Sequence, residues 1–301
     1  MILALIGPTA TGKTTLAVDI AEAMKALGHP AEIVNGDSML VYRGMDIGTA
    51  KPTFAERGGV PHHLIDVLDV TQTASVAQFQ GWARAVIADC GARGMVPIVV
   101  GGSALYVHAI LDEMDFPGTD PAVRARWEAE LDRLGPVALH GELARRDAAA
   151  AAAILPGNGR RIVRALEAIE LTGSFQAHLP SPVYALPDVV QVGLAIERDE
   201  LDARIDARVA GMWEGGFVDE VRRLEAAGLR DGLTASRALG YRQVLAFLDG
   251  QMSEIEARAA TAQATRRFAR KQMGWFRRDD RIVWHRFDEP SLSDTLSKIG
   301  S

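Results

Sequence analysis

"ILALIGPTATGKT", residues 2–14, decides how the rest of the chain is read. "ILALI" (2–6) has the length and composition of a buried strand, and "GKTTLAVDIAEAMKALG" (12–28) continues as a helix with Leu16, Ala17, Ile20 and Met24 on one stripe. Between them "GPTATGKT" (7–14) fits G-x-x-x-x-G-K-[ST] at every fixed position, in the strand-then-helix context that the pattern requires. Gly7 and Gly12 allow backbone conformations that turn successive amides inward, so that the loop Gly7, Pro8, Thr9, Ala10, Thr11 and Gly12 can wrap an anion. Lys13 supplies a positive point charge, Thr14 a hydroxyl that can ligate Mg²⁺, and the helix presents its amino end to an anion. The stretch is a phosphate cradle, and by itself it does not say whose phosphate it holds.

Outward from this loop, short apolar runs alternate with amphipathic segments. "AEIVN" (31–35), "HLIDV" (63–67), "PIVVGG" (97–102), "VVQVGLAI" (189–196) and "RIVWH" (281–285) read as strands. "SVAQFQGWARAVIADCGARG" reads as a helix ending at Gly91 or Gly94. This order predicts an α/β fold, a P-loop NTPase-like parallel sheet flanked by helices. From about Phe116 to Pro187 the strands stop. "DPAVRARWEAELDRLG" is a helix with Asp120 as N-cap and Pro121 in its first turn. Two or three more helices follow, the alanine run 148–153 among them. The expected division is a core of residues 1–115 plus 188–301 and a helical insertion of residues 116–187.

Composition excludes little. The 301 residues are 48% hydrophobic and 24% charged, with a net charge of −6, ordinary for a globular chain. That charge gives no hint of a nucleic-acid partner, although a local basic face would suffice for one. The single cysteine, Cys90, permits no intramolecular disulfide and reads as a small buried residue of a helix. No apolar run is long enough for a membrane span, so no membrane partner and a cytoplasmic location are expected.

The segment "NGDSMLVYRGMDIGTAKP" (35–52) is too long and too polar for an ordinary strand-to-helix connection. It leaves the carboxyl end of a strand, where open α/β sheets bind ligands. Its acid, Asp37, could accept a proton from a nucleophile, hold Mg²⁺, or cap a helix that follows. The strand "PIVVGG" ends in glycines rather than in an Mg²⁺-binding Asp, which weakens a hydrolase reading and leaves a small-molecule kinase open.

At this point the chain resembles the bacterial tRNA dimethylallyltransferases, or tRNA isopentenyltransferases. The resemblance rests on "GPTATGKT", "DSMLVYRGMDIGTAKP", "VGGSALY", "DPAVRAR", "GRRIVRALE", "RALGYRQ" and "TRRFARKQMGWFRR", in that order and over most of the chain. It implies transfer of a dimethylallyl group from dimethylallyl diphosphate to the exocyclic amine of an adenine beside the anticodon. The diphosphate in the loop is then a leaving group, nothing is hydrolysed, and Mg²⁺ assists. The resemblance implies Thr9, Lys13 and Arg208 at the diphosphate and Asp37 as the proton acceptor. Read alone, Arg208 is as much a solvated helix residue as its neighbour Arg204. The resemblance further implies tRNA contacts at Asp37, Ser38, Met39 and Leu40, at Ser103 and Arg124, at Arg160, Arg161, Ile162, Val163 and Arg164, and at Arg237, Ala238, Leu239, Gly240, Tyr241 and Arg242. Ser103 stands where the family usually has Thr, and Arg160 where it often has Gln. A monomer is implied, without the zinc-finger extension of eukaryotic relatives.

The charge pattern suits an anticodon stem-loop. Residues 258–281 hold eight basic residues against two acids, Asp279 and Asp280, and Arg160, Arg161 and Arg164 recur at helical spacing. Tyr241, beside Arg237 and Arg242, reads as a stacking platform. His62 and His63 read as structural. Two other readings stay open: a prenyltransferase or kinase acting on a free nucleotide, and a non-catalytic RNA-binding protein with the same loop.

Overall fold

The computed structural model describes residues 1–73, 75–177 and 181–289. The last part of the expected core, residues 290–301, therefore lies outside the described residues. The chain divides into two compact units, Met1–Asp112 with Tyr184–Ser301, and Glu113–Val183.

The first unit is built on a parallel sheet of six strands: β1 (Ile2–Ile6), β2 (Ala31–Asn35), β3 (His62–His63), β4 (Val96–Gly101), β5 (Val189–Ala195) and β6 (Ile282–Arg286), in the order β3-β2-β4-β1-β5-β6. Leu3 pairs with Ile98 on one side and Val190 on the other, so β1 is central. Every residue of β1 is buried. Its alternate side chains go to opposite faces: Ile2, Ala4 and Ile6 join one core and Leu3 and Leu5 the other. Both faces are covered by helices, and the strand accordingly reads as an unbroken apolar run.

Helix α1 (Lys13–Ala26) follows β1 and buries Ala17, Ile20 and Met24. Helix α2 (Val76–Ala92) starts at the Ser75 cap and stops before Gly94, whose φ of 71° ends it. Helix α3 (Ala104–Leu111) follows β4. After β5 come α8 (Arg198–Glu214), α9 (Phe217–Ala226), α10 (Tyr241–Leu248) and α11 (Glu254–Phe276). The strand expected at 63–67 is cut to His62–His63, because Leu64 and Asp66 take left-handed φ values of 62° and 57° that no strand continues through.

The second unit is helical: α4 (Pro121–Leu134), α5 (Pro136–Arg146), α6 (Ala148–Ala153) and α7 (Gly159–Thr172). Its own core holds Trp127, Leu139, Leu143, Ile154, Ile162 and Leu166. Asp120 caps α4 as its spacing suggests, accepting from the Ala122 and Val123 amides.

Candidate active site

The loop after β1 is held in shape from inside and outside. Gly12 has φ of 82°, a conformation that a side chain would strain, and it turns the chain into α1. The Thr11 hydroxyl donates to the Pro8 carbonyl at 2.9 Å. Arg204 donates to the Ala10 carbonyl at 2.8 Å. Gln272 of α11, almost fully buried, accepts from the Thr9 amide at 3.1 Å and donates to the Gly102 carbonyl at 2.7 Å, so one side chain ties this loop to the turn after β4. Arg208 of α8 donates to the Thr9 hydroxyl at 3.2 Å.

Lys13 lies deep in the same cleft, donating to the Pro8 carbonyl at 2.5 Å. Burial, and then the Arg208 charge, lower its pKa to about 7, with Asp37 opposing. Arg208 is itself shifted down by burial and by Arg204. Two desolvated cations facing one cavity form a site for an anion.

The segment after β2 is fixed by an Asx-type turn. Asn35 accepts from the Asp37 amide at 2.7 Å and donates to the Asp37 and Leu64 carbonyls at 2.9 and 3.0 Å. One oxygen of Asp37 accepts from the Met39 amide at 2.8 Å. No helix follows, so of the three roles open to Asp37 the helix cap falls away, and the residue caps a turn instead. Burial raises its pKa, against the Met39 hydrogen bond and Lys13, which makes it a better proton acceptor than an ordinary aspartate.

Residues 42–51 are anchored by two buried charges. Glu220 of α9 accepts from the amides of Asp46, Ile47 and Gly48 and from the Tyr241 hydroxyl at 2.6 Å. A Cβ on Gly48 would collide with the Phe217 ring, so this approach requires glycine. Lys51 donates to the Tyr42 carbonyl, Asp46 and Asp66. Tyr241 is thus wholly buried, its acidity suppressed by burial and by Glu220, and the stacking role expected of it is ruled out.

Two cavities meet at Thr9, Asp37, Thr49 and Arg208. One, about 270 Å³, is lined by Gly12, Lys13, Thr14, Lys51 and Gln272. The other, about 340 Å³, is lined by Ser38, Met39, Ser103, Met212, Arg237, Ala238, Leu239 and Phe268. The first is walled by phosphate-binding groups, the second by apolar and hydroxyl groups together with Asp37, Arg208 and Arg237. Ser103 stands at the start of α3 with its hydroxyl making no cap bond. Leu40 lines the first cavity, with His62, whose Nδ1 is engaged by the Val60 carbonyl while its buried Nε2 has no partner among the described residues. Gln272 and Phe268 went unassigned in the sequence. Both lie in the stretch "TRRFARKQMGWFRR" that carries part of the resemblance, and Thr261, Thr265, Phe268 and Gln272 recur at intervals of four, three and four on one helix.

The remaining expected tRNA residues divide by environment. Arg160, Arg161, Arg237 and Arg242 are exposed, whereas Ile162, Val163, Ala238 and Gly240 are buried. Arg124 and Arg164 are only partly exposed and are engaged within the helical unit. Both pair with Glu167, which is fully buried, at 2.5 and 2.8 Å, and Arg164 also donates to the Pro117 and Gly118 carbonyls. Glu167, without them, would be an uncompensated buried charge.

Near the other end of β2, Glu32, His63 and Cys90 bring ligand-type atoms within 4.8 Å of one another. Arg93 already occupies the place of a cation, bonding both Glu32 oxygens at 2.7 and 2.6 Å and, with His63, holding that carboxyl near 2. This is an ion-pair network joining β2, β3 and α2. Among the described residues no helix is long and apolar enough to cross a membrane.

The sequence profile of the IPP transferase family matches residues 40–279. A tRNA dimethylallyltransferase of Kineococcus radiotolerans is 62% identical over 98% of this chain and 93% of its own length. One of Thermobifida fusca is 62% identical over 97% and 92%. The crystal structure of a tRNA isopentenylpyrophosphate transferase from Bacillus halodurans is 39% identical and superposes with a TM-score of 0.72, covering 99% of this chain and 94% of that one. A eukaryotic dimethylallyltransferase acting on tRNA shares the fold, with a TM-score of 0.77 at 23% identity over 98% of this chain and 75% of its own.

Proposed function

The chain belongs to the IPP transferase family, and from that premise we propose how its own residues transfer a dimethylallyl group from dimethylallyl diphosphate to the N6 amine of the adenine 3′ of the anticodon in tRNA. The observation that carries the reading is the meeting of the two cavities at Asp37, Thr9 and Arg208. The diphosphate lies in the first, on the loop amides, Lys13, Thr9 and Arg208. The adenine, taken out of the stack, enters the second.

The allylic C–O bond breaks, its electrons leave with the diphosphate, and the adenine nitrogen bonds the same carbon. Positive charge on an allylic cation spreads over two centres, so an anchored leaving group and an aligned amine count for more than a strong base. Asp37, the group common to both cavities with an oxygen to spare, accepts the amine proton. Mg²⁺, when bound, adds positive charge beside the leaving oxygens. The Thr14 hydroxyl, which faces the first cavity and makes no hydrogen bond within the protein among the described residues, fits such an ion. The exposed Arg160 and Arg161 of the helical unit and Arg237 and Arg242 of the first unit hold tRNA phosphates. The enzyme works as a monomer in the cytoplasm.

The test offers labelled dimethylallyl diphosphate with unmodified tRNA, with AMP, and with ATP and candidate acceptors. Label should enter only tRNA. Label in AMP, or ATP hydrolysis without tRNA, would move the assignment to a free-nucleotide enzyme.

A further inference from the structure

The donor has a part that none of the groups above receives: the hydrocarbon tail beyond the reacting carbon. That carbon lies where the two cavities meet, at Thr9, Asp37, Thr49 and Arg208. From there a tail has two ways to go. The first cavity is walled by Lys13, Thr14, Lys51 and Glu56, whose charges and hydroxyl an alkyl chain would strip of water. The second offers the side chains of Met39, Val209, Met212, Leu239 and Phe268, against which the same chain gains by burial. The tail therefore shares the second cavity with the adenine.

Helix α8 gives the direction. Arg208 lines both cavities, while Val209 and Met212 line only the second. Residues four apart stand on one face of a helix, about 6 Å apart along its axis. Arg208 at the head group is thus followed, one turn on, by Met212. The wall nearby does not yield. Gly48 of the same cavity lies against the Phe217 ring. That ring is held edge-on by Trp213 and Tyr241, at 5.3 and 5.0 Å between centroids, and Tyr241 is bonded to buried Glu220. Met212 is half-buried and packs against the same core. An unbranched thioether side chain fills such a gap without a polar atom that needs a partner.

We propose that Met212 is the gauge of donor length: its side chain closes the tail's end of the second cavity after five carbons and so excludes the ten-carbon geranyl diphosphate. The longer donor would react by the same bond changes. Its allylic C–O bond breaks with the electron pair leaving on diphosphate, the adenine nitrogen bonds that carbon, and Asp37 takes the amine proton. Length alone separates the two donors, and Met212 reads it. The proposal rests on the reading of the chain as a tRNA prenyltransferase and names the residue that selects the donor of that activity.

Wild type, Met212→Ala and Phe268→Ala are assayed on unmodified tRNA with dimethylallyl and with geranyl diphosphate, and the modified nucleoside is weighed by mass spectrometry. Inorganic diphosphate binding is measured beside it. Wild type should prefer the five-carbon donor. In Met212→Ala the ratio of kcat/KM for the short donor to that for the long one should fall at least about tenfold, the scale on which an apolar pocket discriminates by size. Geranyl transfer itself should rise. Phe268→Ala enlarges the same cavity from α11, and it should lower both rates together and leave their ratio as in wild type. An unchanged ratio in a Met212→Ala enzyme that still binds diphosphate overturns the gauge. So does an equal gain of geranyl transfer in Phe268→Ala, or a wild type that uses both donors alike. Should Met212→Ala bind no diphosphate, a donor analogue with a diazirine at the far end of its tail, illuminated on the wild type, decides. Attachment at Val209 or Met212 supports the gauge, and attachment only elsewhere overturns it. A wild type that prenylates no tRNA refutes the underlying reading. A wild type that does, with its selectivity intact in Met212→Ala, refutes only the gauge.

Discussion

Two residues carry most of the proposed chemistry, and their environments set them against each other. Asp37 is pushed up by burial and Lys13 is pushed down by burial and Arg208. Asp37→Asn keeps the shape of the turn and removes the proton acceptor. Turnover should fall by roughly 100-fold or more, with tRNA affinity nearly unchanged; wild-type turnover would reduce Asp37 to a turn-forming residue. For Lys13 the sign follows from linkage. A bound diphosphate favours the protonated amine, so binding above about 7 takes up a proton. Affinity for dimethylallyl diphosphate should be full below that value and weaken as the pH rises towards the ordinary lysine value. The limiting slope is about tenfold per pH unit. Lys13→Ala should bind more weakly and lose this part of the pH dependence, and calorimetric titrations at pH 6 to 9 check both.

Among the elements, the loops of the site are held by buried side chains from helices far along the chain. Glu220 of α9 and Tyr241 of α10 fix the turn at 46–48, and Gln272 of α11 fixes the phosphate loop. Tyr241→Phe removes one charge-assisted hydrogen bond and leaves Glu220 with its three amides. It should cost about 1–3 kcal/mol in a denaturant titration while RNA affinity stays at the wild-type level. A selective loss of RNA binding would restore the stacking role that burial rules out. In the helical unit the arginines of one motif part company. Arg164→Ala strips a partner from buried Glu167 and should destabilise that unit by about 3 kcal/mol or more, visible as a lowered melting temperature. Arg160→Gln with Arg161→Gln should leave melting unchanged and lower the salt slope of tRNA binding by about 0.7 to 0.9 per lost contact.

For the whole molecule, each unit has its own core, so damage to one need not reach the other. Arg164→Ala should therefore spare donor binding, whose proposed residues all lie in the first unit. Loss of donor binding in that variant would mean that the two units stabilise each other. The net charge of −6 is no obstacle to an RNA substrate, because electrostatic attraction is set by the nearest few cations within a screening length of about 8 to 10 Å.

Local patterns determined the sheet, the phosphate loop and the helical unit. A five-residue apolar run, a glycine-bounded loop and a capped helix each depend on residues within a few positions of one another, and the sequence carries that information directly. The tertiary structure alone decided which polar residues are working groups and which are struts. The resemblance marked Tyr241, Arg124 and Arg164 only as RNA contacts, and folding brings each to a buried carboxylate: Glu220 for the tyrosine and Glu167 for the two arginines. Gln272 looked like one residue of a basic helix, and it holds a loop 263 positions away. The short β3 was likewise unreadable, because the left-handed turns at Leu64 and Asp66 are held by partners from the segment after β2: Asn35 bonds the Leu64 carbonyl, and Lys51 pairs with the Asp66 carboxylate. The cost of an unpaired buried charge depends on which distant group meets it, and a one-dimensional pattern does not contain that distance.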